Sequence, residues 1–154
     1  MKRLTREEKF MRKAIAAAKR GLKQGEVPIG AVVVFEDKVV SSGYNRRAKL
    51  QLASAHAEMM AIDRACKKFG SWRLPEGCEL YVTLEPCPMC MGASLNARVD
   101  KVYFGAYEQK SGGAISKFNI LSEGGLNHVT EFEGGIMEEE CSNMLKSYFK
   151  AKRR

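Results

Sequence analysis

Two short strings in this sequence carry residues whose types and spacing could do chemistry: His56-Ala57-Glu58 and Pro86-Cys87-Pro88-Met89-Cys90. A Cys-x-x-Cys pair at a helix start can place two thiolates on one metal ion, and a histidine from a neighbouring element can supply a third ligand. His56, Cys87 and Cys90 would then leave the fourth position of a zinc ion open for water. That open position separates a catalytic zinc from a structural one, because the metal lowers the pKa of its bound water to about 7. Glu58 would move the protons. The helical period raises an objection, since residues two apart in a helix point to nearly opposite sides. His56 and Glu58 can serve one site only if His56 sits at the first, half-helical position, with Ser54 as the expected N-cap. Taken singly, the Cys-x-x-Cys pair would equally suit a redox couple or half of a four-ligand structural site, which Cys78 could help to close.

The remaining chemically capable residues have plainer expectations. Cys66, Cys78 and Cys141 each lie in an apolar pattern and are expected as core thiols. His128, the only other histidine, is expected at a strand edge and not as a ligand. Glu85 has no histidine at metal-binding spacing, so its expected role is that of a structural acceptor near a helix N-terminus. Trp72 is expected as a core anchor, the alternative being a base-stacking pair with Arg73.

The elements that must position these residues follow from periodicity and punctuation. Thr5-Arg6-Glu7-Glu8 is a capping-box pattern, and Phe10, Ala14, Ala18 and Leu22 recur at four-residue spacing, so residues 5–24 predict an amphipathic helix. The apolar run 29–35, the charged turn Glu36-Asp37-Lys38 and the run 39–44 predict a hairpin. A second helix is expected over about 54–69, stopping at Gly70, then a buried strand over 78–84. Pro88 suits the first turn of a third helix running to about Arg98, because its missing N–H is unneeded there. A strand over 101–105, a glycine-rich loop over 105–116, a strand over 129–132 and a closing helix over 137–152 complete the chain. The order α-β-β-α-β-α-β-β-α implies one domain with a mixed five-stranded sheet covered by helices.

Composition narrows the classes of function. The chain has 154 residues, a hydrophobic fraction of 45%, and no apolar run near the roughly 20 residues that cross a bilayer. A charged N-terminal segment and an odd count of five cysteines argue against secretion and a disulfide framework, so the cytoplasm is the expected compartment. A net charge of +8 favours polyanionic partners.

With these residues in view, the two motifs resemble the signature of the cytidine and deoxycytidylate deaminase superfamily. Within it, Glu26 through Val32, Tyr81 through Cys90 and Phe104-Gly105-Ala106 are similar to bacterial tRNA-specific adenosine deaminases, and the likeness spans nearly the whole chain. The resemblance implies a three-layer α/β/α sandwich of the cytidine-deaminase type, one zinc ion per subunit on His56, Cys87 and Cys90, and Glu58 as proton shuttle. It implies that Asn45 holds the flipped nucleoside and that Val27, Pro28, Ala57 and Leu84 shape the base pocket. Lys110, Ser111, Asn127, Tyr148, Phe149, Lys150, Lys152 and Arg153 fall where that family contacts an anticodon stem-loop, and a homodimer is implied as well. Two departures bear on the substrate's sequence context: Glu108 stands where an Asp is usual, and Ile115 where a small residue is usual.

The implied reaction converts adenosine to inosine at the wobble position of a tRNA. A deaminase of free guanine or of a pyrimidine nucleoside would share the zinc motifs but has no use for a basic tail. A non-catalytic zinc module that binds RNA would need a fourth protein ligand.

Overall fold

The computed structural model describes residues 3–118 and 128–153. Helix α1 (Arg6–Lys23) begins at the expected capping box, where Thr5 Oγ1 accepts from the Glu8 N–H at 3.1 Å and Glu8 returns a bond to the Thr5 N–H at 2.9 Å. Strands β1 (Gly30–Phe35) and β2 (Lys38–Tyr44) form the hairpin, with a bulge between Val33 and Val34. Next come a helical turn α2 (Arg47–Leu50), helix α3 (Ala57–Phe69), strand β3 (Glu79–Leu84), helix α4 (Pro88–Asn96), strands β4 (Lys101–Ala106) and β5 (Glu131–Glu133), and helix α5 (Glu138–Lys152).

The sheet order is β2-β1-β3-β4-β5. Strand β1 pairs antiparallel with both β2 and β3, whereas β3, β4 and β5 run parallel. Alternation along the central strands feeds two cores, one on each face. On one face Ala31, Val33, Leu80, Val82, Val102 and Phe104 pack against Ala57, Ala61, Ile62 and Ala65 of α3 and Met91 of α4. On the other, Val32, Val34, Tyr81 and Tyr103 pack against Met11, Ala14 and Ile15 of α1 and Cys141 of α5. Three layers result, as expected.

Two glycines let the helices lie directly on the hairpin. A β-carbon on Gly30 would strike the Ala14 carbonyl of α1, and one on Gly43 would lie 2.7 Å from the Ala57 carbonyl and 2.8 Å from the Ala61 N–H of α3. The second contact seats α3, whose N-terminus carries His56 and Glu58, against the sheet.

Several boundaries differ from expectation. Helix α2 lacks apolar periodicity and arises from tertiary contact: the buried Glu26 carboxylate accepts from the N–H groups of Ala48 at 3.3 Å and Lys49 at 2.7 Å, satisfying its first-turn donors. Strand β5 starts at Glu131, with Val129 75% exposed, because pairing begins only where the Glu131 N–H reaches the Asp100 carbonyl at 2.9 Å. The third predicted helix, α4, ends at Asn96.

Candidate metal centre and its cavity

Strand β3 delivers Leu84-Glu85-Pro86 to the edge of the sheet, and the chain turns there into α4 with Pro88 at its first position. Cys87 is the N-cap of α4 in extended geometry (φ −73°, ψ 171°), and Cys90 lies in the first turn. His56 is likewise the N-cap of α3 (φ −76°, ψ 154°), with Glu58 in the first turn. Neither N-cap side chain is used to cap its helix, so both are turned to other work. The objection from helical period is met because His56 stands just outside the helix. The expected N-cap, Ser54, is corrected: its carbonyl accepts from the His56 N–H at 2.8 Å in the turn that precedes the helix.

His56 Nδ1 lies 3.7 Å from Cys87 Sγ and 3.5 Å from Cys90 Sγ, and the three ligand atoms all fall within 4.8 Å of one another. Zn–S and Zn–N bonds of about 2.3 and 2.05 Å at a tetrahedral angle separate the two ligand atoms by about 3.6 Å. The donor set therefore fits zinc in both chemistry and spacing. Among the described residues no fourth histidine, cysteine or carboxylate joins the cluster. Cys78 is buried in the core beside Leu80 and Val99.

Glu58 is 4% exposed. Burial pushes its carboxyl up to about 7, with the neighbouring His56 pulling the other way. Hydrogen bonds to Cys87, first from Cys90 and then from His56, outweigh burial and bring its thiol down to about 4, while the Cys90 thiol is held up as the donor of that pair.

A cavity of about 270 Å³ opens over this centre. Of the residues expected at a base pocket, Asn45, Val27, Ala57 and Leu84 line it, together with His56, Glu58 and Cys87. Asn45 is 3% exposed, and its Oδ1 accepts from the Arg47 N–H at 3.2 Å, which orients its amide. Pro28 does not line the cavity. It is the apex of a tight turn in which the Ile29 N–H donates to the Val27 carbonyl at 2.8 Å, so Val27 and Ile29 face the cavity and the proline ring is buried behind them. Ile29, Arg47 and Leu145 also line the cavity and were not singled out from sequence, and Glu85 and Glu108, expected in other roles, line it as well. Arg47 and Leu145 sit on helical faces whose partner is cavity and not core, a distinction that apolar periodicity does not make.

Of the expected RNA contacts, Ser111 and Phe149 line the cavity. Tyr148 lines an adjoining groove of about 420 Å³ that shares Val27, Asn45 and Arg47 with the cavity. Lys110, Lys150, Lys152 and Arg153 are exposed, with Lys152 Nζ 5.7 Å from the Tyr148 ring centroid. Asn127 lies outside the described residues.

Three further expectations are corrected or sharpened. Trp72 is 64% exposed and no core anchor: α3 ends at Phe69, and the chain re-enters the core only at Leu74, leaving the indole outside with the Arg73 guanidinium 5.1 Å from its ring centroid. Cys66 is only half-buried, at the margin of the core. Glu85 is a structural acceptor as expected, but its donors come from the loop after β4 and not from a helix N-terminus. Burial opposes its charge, and hydrogen bonds from Ser116, Ile115 and Glu108 outweigh that burial and hold the carboxyl below the usual range. His128 bonds the Val99 carbonyl at 2.9 Å, away from the cluster.

A mixed sheet whose two overlying helices both begin at a metal-ligating residue, with a buried carboxylate between them, defines the zinc-dependent deaminase class. Residues 4–106 match the cytidine and deoxycytidylate deaminase zinc-binding region, and the chain belongs to that family. The chain is 48% identical over 151 residues to the tRNA-specific adenosine deaminase of Bacillus subtilis, covering 98% of this chain and 93% of the relative. It is 46% identical over 144 residues to the protein of that name from Aquifex aeolicus, covering 94% of each. Among solved structures it is similar to one from a study of A-to-I editing by tRNA:A34 deaminases, with a TM-score of 0.84 and 39% identity, covering 88% of this chain and 98% of the other.

Proposed function

We propose that this protein deaminates adenosine to inosine at the wobble position of a tRNA anticodon. The observation that carries the reading is the convergence of His56, Cys87 and Cys90 on one metal position at a nucleobase-sized cavity that the buried Glu58 also lines. The substrate is that of the similar proteins, and the net charge of +8 suits a polyanion.

His56, Cys87 and Cys90 hold zinc, which supplies the Lewis acidity that makes water a nucleophile near neutral pH. Glu58 takes one proton from the attacking water and delivers it to N1 of the adenine as C6 is attacked, then takes the second from the new C6 hydroxyl and delivers it to the departing 6-amino group. Water is consumed, ammonia leaves, and the base becomes hypoxanthine. Asn45 holds the extruded nucleoside, while Val27, Ala57 and Leu84 pack around the base and Pro28 backs Val27. Lys110, Ser111, Tyr148, Phe149, Lys150, Lys152 and Arg153 grip the stem-loop, with Asn127 assigned to the same task.

The reading includes a cytoplasmic homodimer. What supports the pairing is exposed apolar surface at Met89 on the α4 N-terminus and at Ile115 and Phe118 on the nearby loop. No helix among the described residues is long and apolar enough to cross a membrane. The test incubates zinc-loaded protein with an adenosine-containing anticodon stem-loop and, separately, with free adenosine, guanine and cytidine. Inosine from the stem-loop is expected. Xanthine or uridine from the free compounds, with the stem-loop untouched, would overturn the reading in favour of a small-molecule deaminase.

A further inference from the structure

Glu85 lines the cavity, is 2% exposed, and has no part in the proton transfers above. Its two oxygens collect five donors from a single segment. Oε1 accepts from the Glu108 N–H at 3.1 Å and from the Ser116 hydroxyl. Oε2 accepts from the N–H groups of Ala114, Ile115 and Ser116 at 3.2, 2.7 and 2.9 Å. An ionised carboxylate offers about four acceptor sites, so this one is filled by protein and has none left for a substrate.

The segment is pressed onto the metal-bearing turn where it crosses. A β-carbon on Gly112 would lie 2.5 Å from the Glu85 carboxyl, and one on Gly113 would lie 2.8 Å from the Cys87 backbone. The Gly113 N–H donates to the Pro86 carbonyl at 2.6 Å. From this clamped base the segment sends Glu108 and Ser111 into the cavity and carries Lys110 on its exposed side. Glu108 Oε1 accepts from the Lys110 N–H at 3.0 Å, which continues the order outward from the clamp.

Resting on the deaminase reading above, we infer that Glu85 is a positioning residue that folds residues 108–116 into the outer wall of the cavity and so presents Ser111 and Lys110 to the RNA. Its loss loosens the grip on the stem-loop and spares the metal and Glu58. A glutamine at 85 keeps the size but replaces one acceptor oxygen with a donor, leaving two or three loop donors unmatched. Glycine is needed at 112 and 113 for the same reason, because the loop must approach the carboxylate and the Cys87 backbone closely.

The experiment uses zinc-loaded wild type, Glu85→Gln and Gly112→Ala, the second pressing on the same carboxylate from the loop side. Zinc content, steady-state kinetics on an anticodon stem-loop and amide exchange at Glu108, Ala114, Ile115 and Ser116 are measured on each. Zinc is expected to stay at one per chain. Exchange at the four amides is expected to rise about tenfold or more as the clamp opens locally. KM for the stem-loop is expected to rise about tenfold with kcat within about threefold, the mark of lost binding and not of lost chemistry. Adding Ser116→Ala to Glu85→Gln is expected to change KM by less than about twofold, since both remove one interaction.

A fall in kcat with KM unchanged, loss of zinc, or freed amides with KM unchanged would each overturn the inference. Should Glu85→Gln not fold, Gly112→Ala decides on the same measurements. If wild type itself leaves the stem-loop untouched, the functional reading fails and the RNA role falls with it. The four amides then still report whether the clamp exists, so the two failures are told apart.

Discussion

Replacing Glu58 with glutamine isolates the proton transfer from the rest of the site. The side chain is 4% exposed, in the first turn of α3, so an amide of the same shape keeps the packing and leaves the cavity wall intact. Alanine would open a void and admit water, mixing two effects. A positioned acid-base group is typically worth about 10²–10⁴ in rate, or about 2.7–5.5 kcal/mol at 1.36 kcal/mol per decade. The structure points to the upper half of that range, because among the described residues the other two carboxylates lining the cavity, Glu85 and Glu108, are hydrogen-bonded within the loop after β4. Both oxygens of Glu85 are occupied by the loop, and Glu108 accepts from the Lys110 N–H. Single-turnover deamination of the stem-loop, followed by nuclease digestion and mass spectrometry for inosine, measures the chemical step alone. The expected result is a loss of about 10³–10⁴ in rate, with zinc at one per chain and RNA affinity unchanged. Retention of more than about a tenth of the wild-type rate in fully metallated protein would refute the assignment of Glu58 as proton shuttle.

Other outcomes follow from the same geometry. Chelation should abolish activity and lower the melting temperature by roughly 10 °C, since a metal present at about 1,000 times its Kd adds about 4 kcal/mol and each kcal/mol is worth about 2–4 °C at this size; differential scanning calorimetry with and without added zinc checks this. Gly43→Ala puts a methyl group 2.7 Å from the Ala57 carbonyl and should cost about 1–3 kcal/mol as α3 is pushed off the sheet, read by urea denaturation, with a parallel fall in activity because α3 carries Glu58. Truncation after Phe149 removes Lys150, Lys152, Arg153 and Arg154, so stem-loop affinity should fall and the slope of log K against log salt should flatten by about 3. Unchanged affinity and slope in fluorescence titrations would mean that the tail only complements the α5 dipole.

The metal centre was legible because its ligands are chemically rare and cluster in two short strings, and because Pro88 located the start of α4 and the helical period placed His56 at the start of α3. The longer helices and the mixed five-stranded sheet were legible from periodicity and punctuation, and the three-layer arrangement from the family resemblance. What escaped was whatever depends on contacts between distant segments. Glu26 looks like an ordinary surface acid, yet its burial against Ala48 and Lys49 creates α2 and so sets Asn45 and Arg47 at the cavity. Glu85 reads locally as a residue ahead of a helix, while its donors lie 23 to 31 positions away. Trp72 misled because side-chain apolarity alone does not say whether a chain turns toward the core or away from it. Pro28 misled in a similar way, its neighbours Val27 and Ile29 taking the cavity wall while the ring filled the space behind.

The use of N-cap positions for two of the three ligands bears on the electrostatics of the centre as well as its geometry. Cys87, Cys90 and Glu58 all lie within a turn of a helix start, where unsatisfied N–H groups and the macrodipole favour negative charge by about 0.3–1 kcal/mol each. Burial acts against them, and the two effects divide by position. For Cys87, half-exposed at the cavity and taking hydrogen bonds from Cys90 and His56, the charged form is favoured. For Glu58, sealed beneath the same cavity, burial prevails and the carboxyl is held near neutrality. One thiolate already formed to receive a cation, beside a carboxyl that can still hold or release its proton near pH 7, is the division of labour that hydrolytic deamination requires. It follows from where each residue falls in the first turn of its helix: N-cap side chains are free to turn to a metal, and in α3 the residue two further on, Glu58, is carried inward.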